Sequence, residues 1–246
     1  SRVGRLGNSL FQIATVLAYA KDYGLTPAFT KWDYQDYIPL NLIEEGTSWN
    51  RIAEGGINHW KHYNQLAKLG GDIDMHGHFL SQNFFKHQRE TVLSTIRLNP
   101  QHELYIQYKY GKRLEGNTCA IHVRRNDYLQ PEQAAYHGVL PVTYYYNAIE
   151  QLYSSEKEAN FVICSDDIAW CKQHFKFTNT LFIEAEKNIY DLFIMSKCRD
   201  NIIANSTFSW WSAWLNQDIN TRCIAPKNWF VDGGWDDLYK ENWIKI

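Results

Sequence analysis

The chain has 246 residues, and its 25 Lys and Arg against 27 Asp and Glu give a formal charge of −2. That length suits one large domain or two compact ones, and a composition 45% apolar and 21% charged excludes global disorder. With no basic excess to neutralise phosphates along a duplex, a generic nucleic-acid binder is excluded too.

Gly4-Arg5-Leu6-Gly7-Asn8 reads as a tight turn entering a helix, in which Leu10, Phe11, Ala14, Leu17 and Ala18 recur at helical spacing as far as Gly24. No apolar strand precedes Gly4, so the chain is expected to begin within or after a first strand. A short strand is predicted over residues 28–30, and residues 31–72 are too weakly periodic to predict any element. A strand over 73–79 and a helix over 87–96 follow. From Thr118 the pattern sharpens. Strands at 119–123, 160–164, 181–183, 202–204 and 223–225 alternate with helices at 143–153, 168–175, 189–197 and 208–216, the signature of βα units around a parallel sheet. The short charged stretch 111–117 is the linker candidate, giving α/β halves at 1–112 and 113–246. The segment after Trp229 is expected to pack back on the first half.

The longest uncharged stretch, residues 201–217, carries too many Asn, Ser and Thr for a bilayer span, which needs about twenty mostly apolar residues. No basic region followed by an apolar run marks a signal peptide. Five cysteines without a CxxC pair read as reduced, buried thiols of a cytoplasmic protein. Ten Trp, sixteen Tyr and twelve Phe suit stacking on bases and sugars, although a large core also consumes aromatics.

Four clusters fall just past the carboxyl ends of predicted strands or turns, where α/β sheets hold ligands. The Gly4–Asn8 turn offers close backbone approach and helix N–H groups to an anion, or is only a turn. In His122-Val-Arg124-Arg125-Asn-Asp127, strand alternation points His122 and Arg124 to one side. Arg124 is read as a guanidinium grip on a diphosphate, and Arg125 as an internal partner of Asp127. Of Ser165-Asp166-Asp167, one carboxylate caps the next helix, and the other could accept two N–H bonds from a guanine edge. Asn205-Ser206-Thr207-Phe208 begins a helix, where hydroxyls cap it or hold phosphate oxygens. Asn205-Ser-Thr also fits a glycosylation sequon, but a glycan there would block the crevice.

Asp72 and Asp74 form a D-x-D that could bind a divalent cation, and His76 and His78 alternate on one strand without an obvious third ligand. No nucleophile elbow or P-loop is present.

At the four clusters the sequence resembles glycosyltransferase family 11, the α1,2-fucosyltransferases. Gly4 to Gln12 is similar to G-x-L-G-N-Q-M-F-Q, with Ser9 in place of Gln and Arg5 where bacterial members often have Gly. His122 to Tyr128 matches H-x-R-R-x-D-Y, and the following His137-Gly-Val-Leu140 with Tyr144-Tyr145 also matches. Phe161 to Lys172 resembles F-x-x-F-S-D-D-x-x-W-C-K, and Asp191 to Asn216 resembles D-L-x-L-M-S-x-C-x-x-x-I-I-A-N-S-T-F-S-W-W-x-A-W-L-N. The resemblance implies a GT-B fold of two Rossmann-like domains facing a cleft, 1–112 on the acceptor side and 113–246 binding the donor. It implies GDP-fucose as donor co-substrate, inversion at fucose, and no cofactor or metal. The acceptor would be the 2-hydroxyl of a terminal galactose on an oligosaccharide or glycolipid. Donor contacts would come from Gly4, Arg5, Gly7, Asn8, Arg124, Ser165, Asp166, Asp167, Asn205, Ser206, Thr207 and Phe208. Arg124 would stabilise the leaving diphosphate, and the proton acceptor stays open among Asp127, His122 and His137. The expected location is cytoplasmic, extending to peripheral contact with the inner membrane if the acceptor is lipid-linked. Three rival readings are a metal-dependent GT-A transferase built on Asp72 and Asp74, which a chelator would silence, a carbohydrate-binding module without nucleotide affinity, and a catalytically dead regulator that binds GDP-fucose.

Overall fold

Short apolar runs separated by amphipathic helices bury both faces only as interior strands of a helix-covered parallel sheet, and that sheet is what they form. The computed structural model describes residues 4–43, 50–54, 63, 65–233 and 236–246. The chain divides into two units, Ser1–Glu103 with Asp236–Lys240, and Leu104–Trp235 with Glu241–Ile246.

In the second unit, β3 (Thr118–Val123), β4 (Asn160–Ser165), β5 (Thr180–Phe182), β6 (Asp200–Ile202), β7 (Cys223–Ala225) and β8 (Ile244–Lys245) lie in the order β5-β4-β3-β6-β7-β8. All five pairings are parallel. Relabelled in chain order from β3, this is the 3-2-1-4-5-6 arrangement of a doubly wound sheet. Every residue of β3 is buried, and Cys119, Ile121 and Val123 pack with Phe161, Ile163, Tyr145 and Phe175. Helices α5 (Val142–Leu152), α6 (Ile168–His174), α7 (Asn188–Ser196) and α8 (Thr207–Leu215) match the predicted ones to within two residues. The indoles of Trp210, Trp211 and Trp214 on α8 are all buried, so part of the aromatic excess is core.

The amino end of the sheet is fixed by Asp200, which is fully buried. Its carboxylate accepts from the Arg222 backbone N–H at 3.0 Å, from the Arg222 guanidinium at 3.1 and 2.5 Å, and from the Tyr153 hydroxyl at 2.5 Å.

In the first unit, α1 (Leu6–Tyr23) ends at Gly24, whose φ of 69° makes a left-handed cap. The predicted turn over residues 4–8 is shorter than expected, because Leu6, Gly7 and Asn8 already belong to α1. Gly4 is required there: its φ is 86°, and a Cβ would fall 2.3 Å from Asn8 Nδ2. The strand expected at 28–30 is reduced to one bridge, Phe29 to Leu42. β1 (Asn50–Ala53) and β2 (Ile73–His76) pair in parallel. β2 stops short of residue 79, where Phe79 turns to φ 50°, and Gly77 packs so close to Glu54 that a Cβ would lie 2.4 Å from Glu54 Cβ. Glu54 Oε2 accepts the His78 and Phe79 N–H groups at 2.6 and 2.9 Å, covering the donors this break exposes. α2 (Arg89–Thr95) falls inside the predicted helix over 87–96.

Two helices were not anticipated. α3 (Pro100–Tyr110) runs into a 3-10 turn at Gly111–Arg113, and α4 (Pro131–His137) starts on a proline. The terminal segment packs back within the first unit: Ser81 Oγ donates to Asp237 O at 2.9 Å and Gln82 Nε2 to Tyr239 O at 3.3 Å.

Removing the Asp200 carboxylate strands the Tyr153 hydroxyl and a guanidinium that is itself partly solvated. Asp200→Ala is expected to lose about 2–3 kcal/mol of unfolding free energy, read from urea midpoints at unchanged slope.

Candidate functional site

Strand order reverses between β3 and β6. Connections leaving these neighbours diverge to opposite faces and open a crevice at the carboxyl edge, where such sheets receive ligands. The end of β3 delivers His122, Arg124 and Arg125, and the end of β6 delivers Asn205, Ser206, Thr207 and Phe208. Two of the four predicted clusters thus meet at the reversal, and a third follows β4 next to β3.

Arg124 is held between two carboxylates, with Nη2 2.6 Å from Asp127 Oδ1 and Nη1 3.0 Å from Asp166 Oδ2. The internal pair with Asp127, expected of Arg125, is therefore made by Arg124. Arg125 instead pairs with Asp167 at 3.2 Å and lies 4.2 Å above the Trp170 ring. Neither predicted guanine acceptor is idle. Asp166 Oδ1 takes the Arg125 backbone N–H at 2.8 Å, while Asp167 caps α6 by accepting the Trp170 N–H at 3.1 Å. Ser165 Oγ accepts the Asp167 N–H at 2.9 Å, so it shapes this turn. Both arginines are thus preoriented, their desolvation met by carboxylates.

Across the crevice, the Tyr128 hydroxyl donates to Asn205 O at 3.0 Å, and the Arg124 guanidinium lies 5.6 Å from the Tyr128 ring. Asn205 is buried, and its side-chain amide donates to His137 O at 2.7 Å and Trp229 O at 3.3 Å. That amide ties the end of α4 and the 229–233 segment to the turn after β6, which makes Asn205 a positioning residue and leaves its sequon no access to a glycan. Ser206 is the α8 N-cap, accepting the Phe208 N–H at 3.3 Å, so the positive end of a nine-residue helix begins here.

His122 is buried with its ring 5.2 Å from that of Phe208. Burial, and secondarily Arg124, depress its pKa to about 3, and Nδ1 has no hydrogen-bond partner among the described residues. As a proton acceptor it would place a second cation beside Arg124, so the geometry suits a neutral contact. Burial also lowers the His137 pKa, against an upward pull from Asp127. Asp191 on α7 was not singled out from the sequence as a candidate. Its carboxyl influences Cys164 near the end of β4, and Oδ1 has no hydrogen-bond partner among the described residues. Its only sequence signal was its place at the head of the last family-like motif.

Gly4, Arg5, Gly7 and Asn8 lie at the start of α1 in the first unit. There too, Asp74 is bound by Arg51, its register partner on β1, at 2.8 and 2.9 Å. Among the described residues no group of three His, Cys, Asp or Glu could hold a metal.

The model of the family described as glycosyl transferase family 11 matches residues 2–246, and the chain belongs to that family. The O-antigen biosynthesis glycosyltransferase WbnK of Escherichia coli is 33% identical over 69% of this chain and 59% of its own length. An Escherichia coli alpha-1,2-colitosyltransferase is 36% identical over 73% of this chain and 64% of its own. The Bos taurus galactoside 2-alpha-L-fucosyltransferase SEC1 is 25% identical over 86% and 62%. The chain thus spans about three-fifths of the length of these curated relatives. Among solved structures, NodZ alpha-1,6-fucosyltransferase co-crystallized with GDP aligns with a TM-score of 0.58 at 15% identity, over 84% of this chain and 88% of NodZ. POFUT1 in complex with GDP aligns at 0.52 and 12% identity, over 90% and 96%. Both are GT-B type, and this chain has that α/β fold. No helix among the described residues is long and apolar enough to cross a membrane.

Burial, reinforced by Glu186, pushes the Asp191 carboxyl up to about 7. The folded protein keeps this proton as pH rises, whereas the unfolded chain releases it near about 3.9. Stability therefore falls with pH between these values and levels off above the higher one. Asp191→Asn is expected to flatten that fall, measured as the wild-type minus variant urea midpoint from about pH 4.5 to about 7.5.

Proposed function

We propose that this chain moves L-fucose from GDP-fucose to the 2-hydroxyl of a terminal galactoside, with inversion and without a metal ion. The observation that carries the reading is the meeting, through Tyr128, of the Arg124 guanidinium and the start of α8 at the strand-order reversal. Family membership supports glycosyl transfer, and the GDP bound by NodZ supports the nucleotide. The name of SEC1 supports the galactoside 2-hydroxyl as acceptor.

In this reaction the acceptor oxygen bonds to the anomeric carbon, the bond from that carbon to the β-phosphate oxygen breaks, and its electron pair leaves with GDP. Negative charge grows on the diphosphate. Arg124, the positive end of α8 and the hydroxyls of Ser206 and Thr207 stabilise that charge where a cation otherwise would. The incoming diphosphate competes with Asp127 for Arg124. A carboxylate released from its guanidinium is free to take the acceptor proton, so donor binding readies the base. His122 contributes a neutral imidazole contact. Guanine recognition falls to a carboxylate at this edge: Asp166 or Asp167 by exchange of arginine partners, or Asp191 directly. The colitosyltransferase relative favours colitose as a second sugar that this site could transfer.

Calorimetric titration in excess EDTA is expected to give GDP binding and no UDP response. Arg124→Ala should weaken GDP by roughly 10–100-fold, the cost of losing charge-assisted bonds, with the melting profile retained. Near-wild-type GDP affinity in that variant, or nucleotide binding only with Mn²⁺, sinks the assignment. Discrimination of GDP over IDP, which lacks the 2-amino group, should collapse in whichever of Asp166→Asn, Asp167→Asn and Asp191→Asn removes the guanine acceptor.

A further inference from the structure

The geometry points to a second sugar subsite on the Leu104–Trp235 unit, in which the exposed ring of Tyr136, beside Val231, receives the apolar face of the pyranose next to the acceptor's terminal galactose. The inference rests on the transferase reading above.

Tyr136 and Val231 are 44% and 60% exposed. A row of rings leads to them from the site. The Tyr128 ring beneath Arg124 stacks flat on His137, centroids 4.5 Å apart and planes 2° apart. His137 meets Tyr136 edge to face at 4.7 Å, and Tyr136 leans on Phe230 at 4.8 Å. Tyr136 is thus linked to the guanidinium by three successive contacts, which places it as the candidate platform for the sugar next to the reacting one.

The platform is fixed before any ligand arrives. Val231 N–H donates to Tyr136 O at 3.1 Å, and Phe230 and Gly233 exchange backbone bonds, both 3.1 Å, which hold the turn carrying Val231 and Asp232. Asn205 anchors both segments through His137 O and Trp229 O. A ring already clamped by two others loses little freedom on binding.

The patch suits a sugar rather than a macromolecule. Two exposed apolar side chains fall far short of the roughly 800 Å² per partner that a stable protein interface buries. Asp232, next to Val231 at the tip of the turn, opposes an anionic bilayer and offers an acceptor for a sugar hydroxyl. A flat aromatic with a polar rim is what the C–H face and hydroxyl edge of a pyranose require.

The test is NMR titration of lactose and of methyl β-galactoside, with GDP present. Tyr136→Ala is expected to weaken lactose by roughly tenfold, the scale of one lost ring contact, and to leave methyl β-galactoside unchanged. Tyr136→Phe should retain lactose, and Val231→Asp should weaken it. Unchanged GDP affinity in each variant certifies the fold. The subsite is overturned if Tyr136→Ala binds lactose like the wild type, if it weakens both sugars equally, or if the wild type prefers neither. Turnover separates the two claims: lactose binding that follows Tyr136 without fucosyl transfer from GDP-fucose defeats the reaction assignment and leaves the subsite standing.

Discussion

A guanidinium at the mouth of a sheet cannot be left without partners, and Arg124 resolves this by lying between Asp127 and Asp166. Much of the site follows from that requirement. Asp166 comes from the end of β4, so the turn after β4 must close onto the turn after β3, and the Arg125 backbone N–H completes the closure. Asp167 is then free to start α6 and to pin Arg125 against Trp170. One partly buried charge therefore sets the paths of two connections and the beginning of a helix.

The same arrangement poises the crevice electrically. Two arginines face three carboxylates, so the site carries no standing excess of positive charge. Under the proposed transfer, an arriving diphosphate would gain less than from a bare guanidinium, because it would compete with aspartate. In return, the side chain is already extended and oriented, so little ordering cost remains. The positive end of α8 is not offset in this way and supplies the net attraction.

The second unit was legible because parallel strands buried on both faces leave continuous apolar runs that no other element mimics. Residues 119–123 and 223–225 announce themselves so. α4 was not legible: Pro131-Glu-Gln-Ala-Ala-Tyr-His has no apolar face, and its helix is held by its proline start and by contacts at its end. The short β2 was overread because alternation cannot report that Gly77 abuts Glu54. At the site, residue types at strand ends located the crevice, but pairing was hidden. Adjacent arginines have interchangeable chemistry in a sequence, and only the strand direction decides which one reaches Asp127. Asn205 looked like a ligand contact for the same reason, since an amide's polarity shows in the sequence but the carbonyls it bonds do not.

Those carbonyls carry a broader meaning. Asn205 grips the main chain at His137 and Trp229, so the loops it fastens are secured without regard to which residues they bear. Substitution along the exposed rim, at Tyr136 or Val231, need not loosen the anchorage. The residues of the rim can then change while the turn after β6 stays in register. Such modular attachment separates the composition of the rim from the geometry of the turn that holds it.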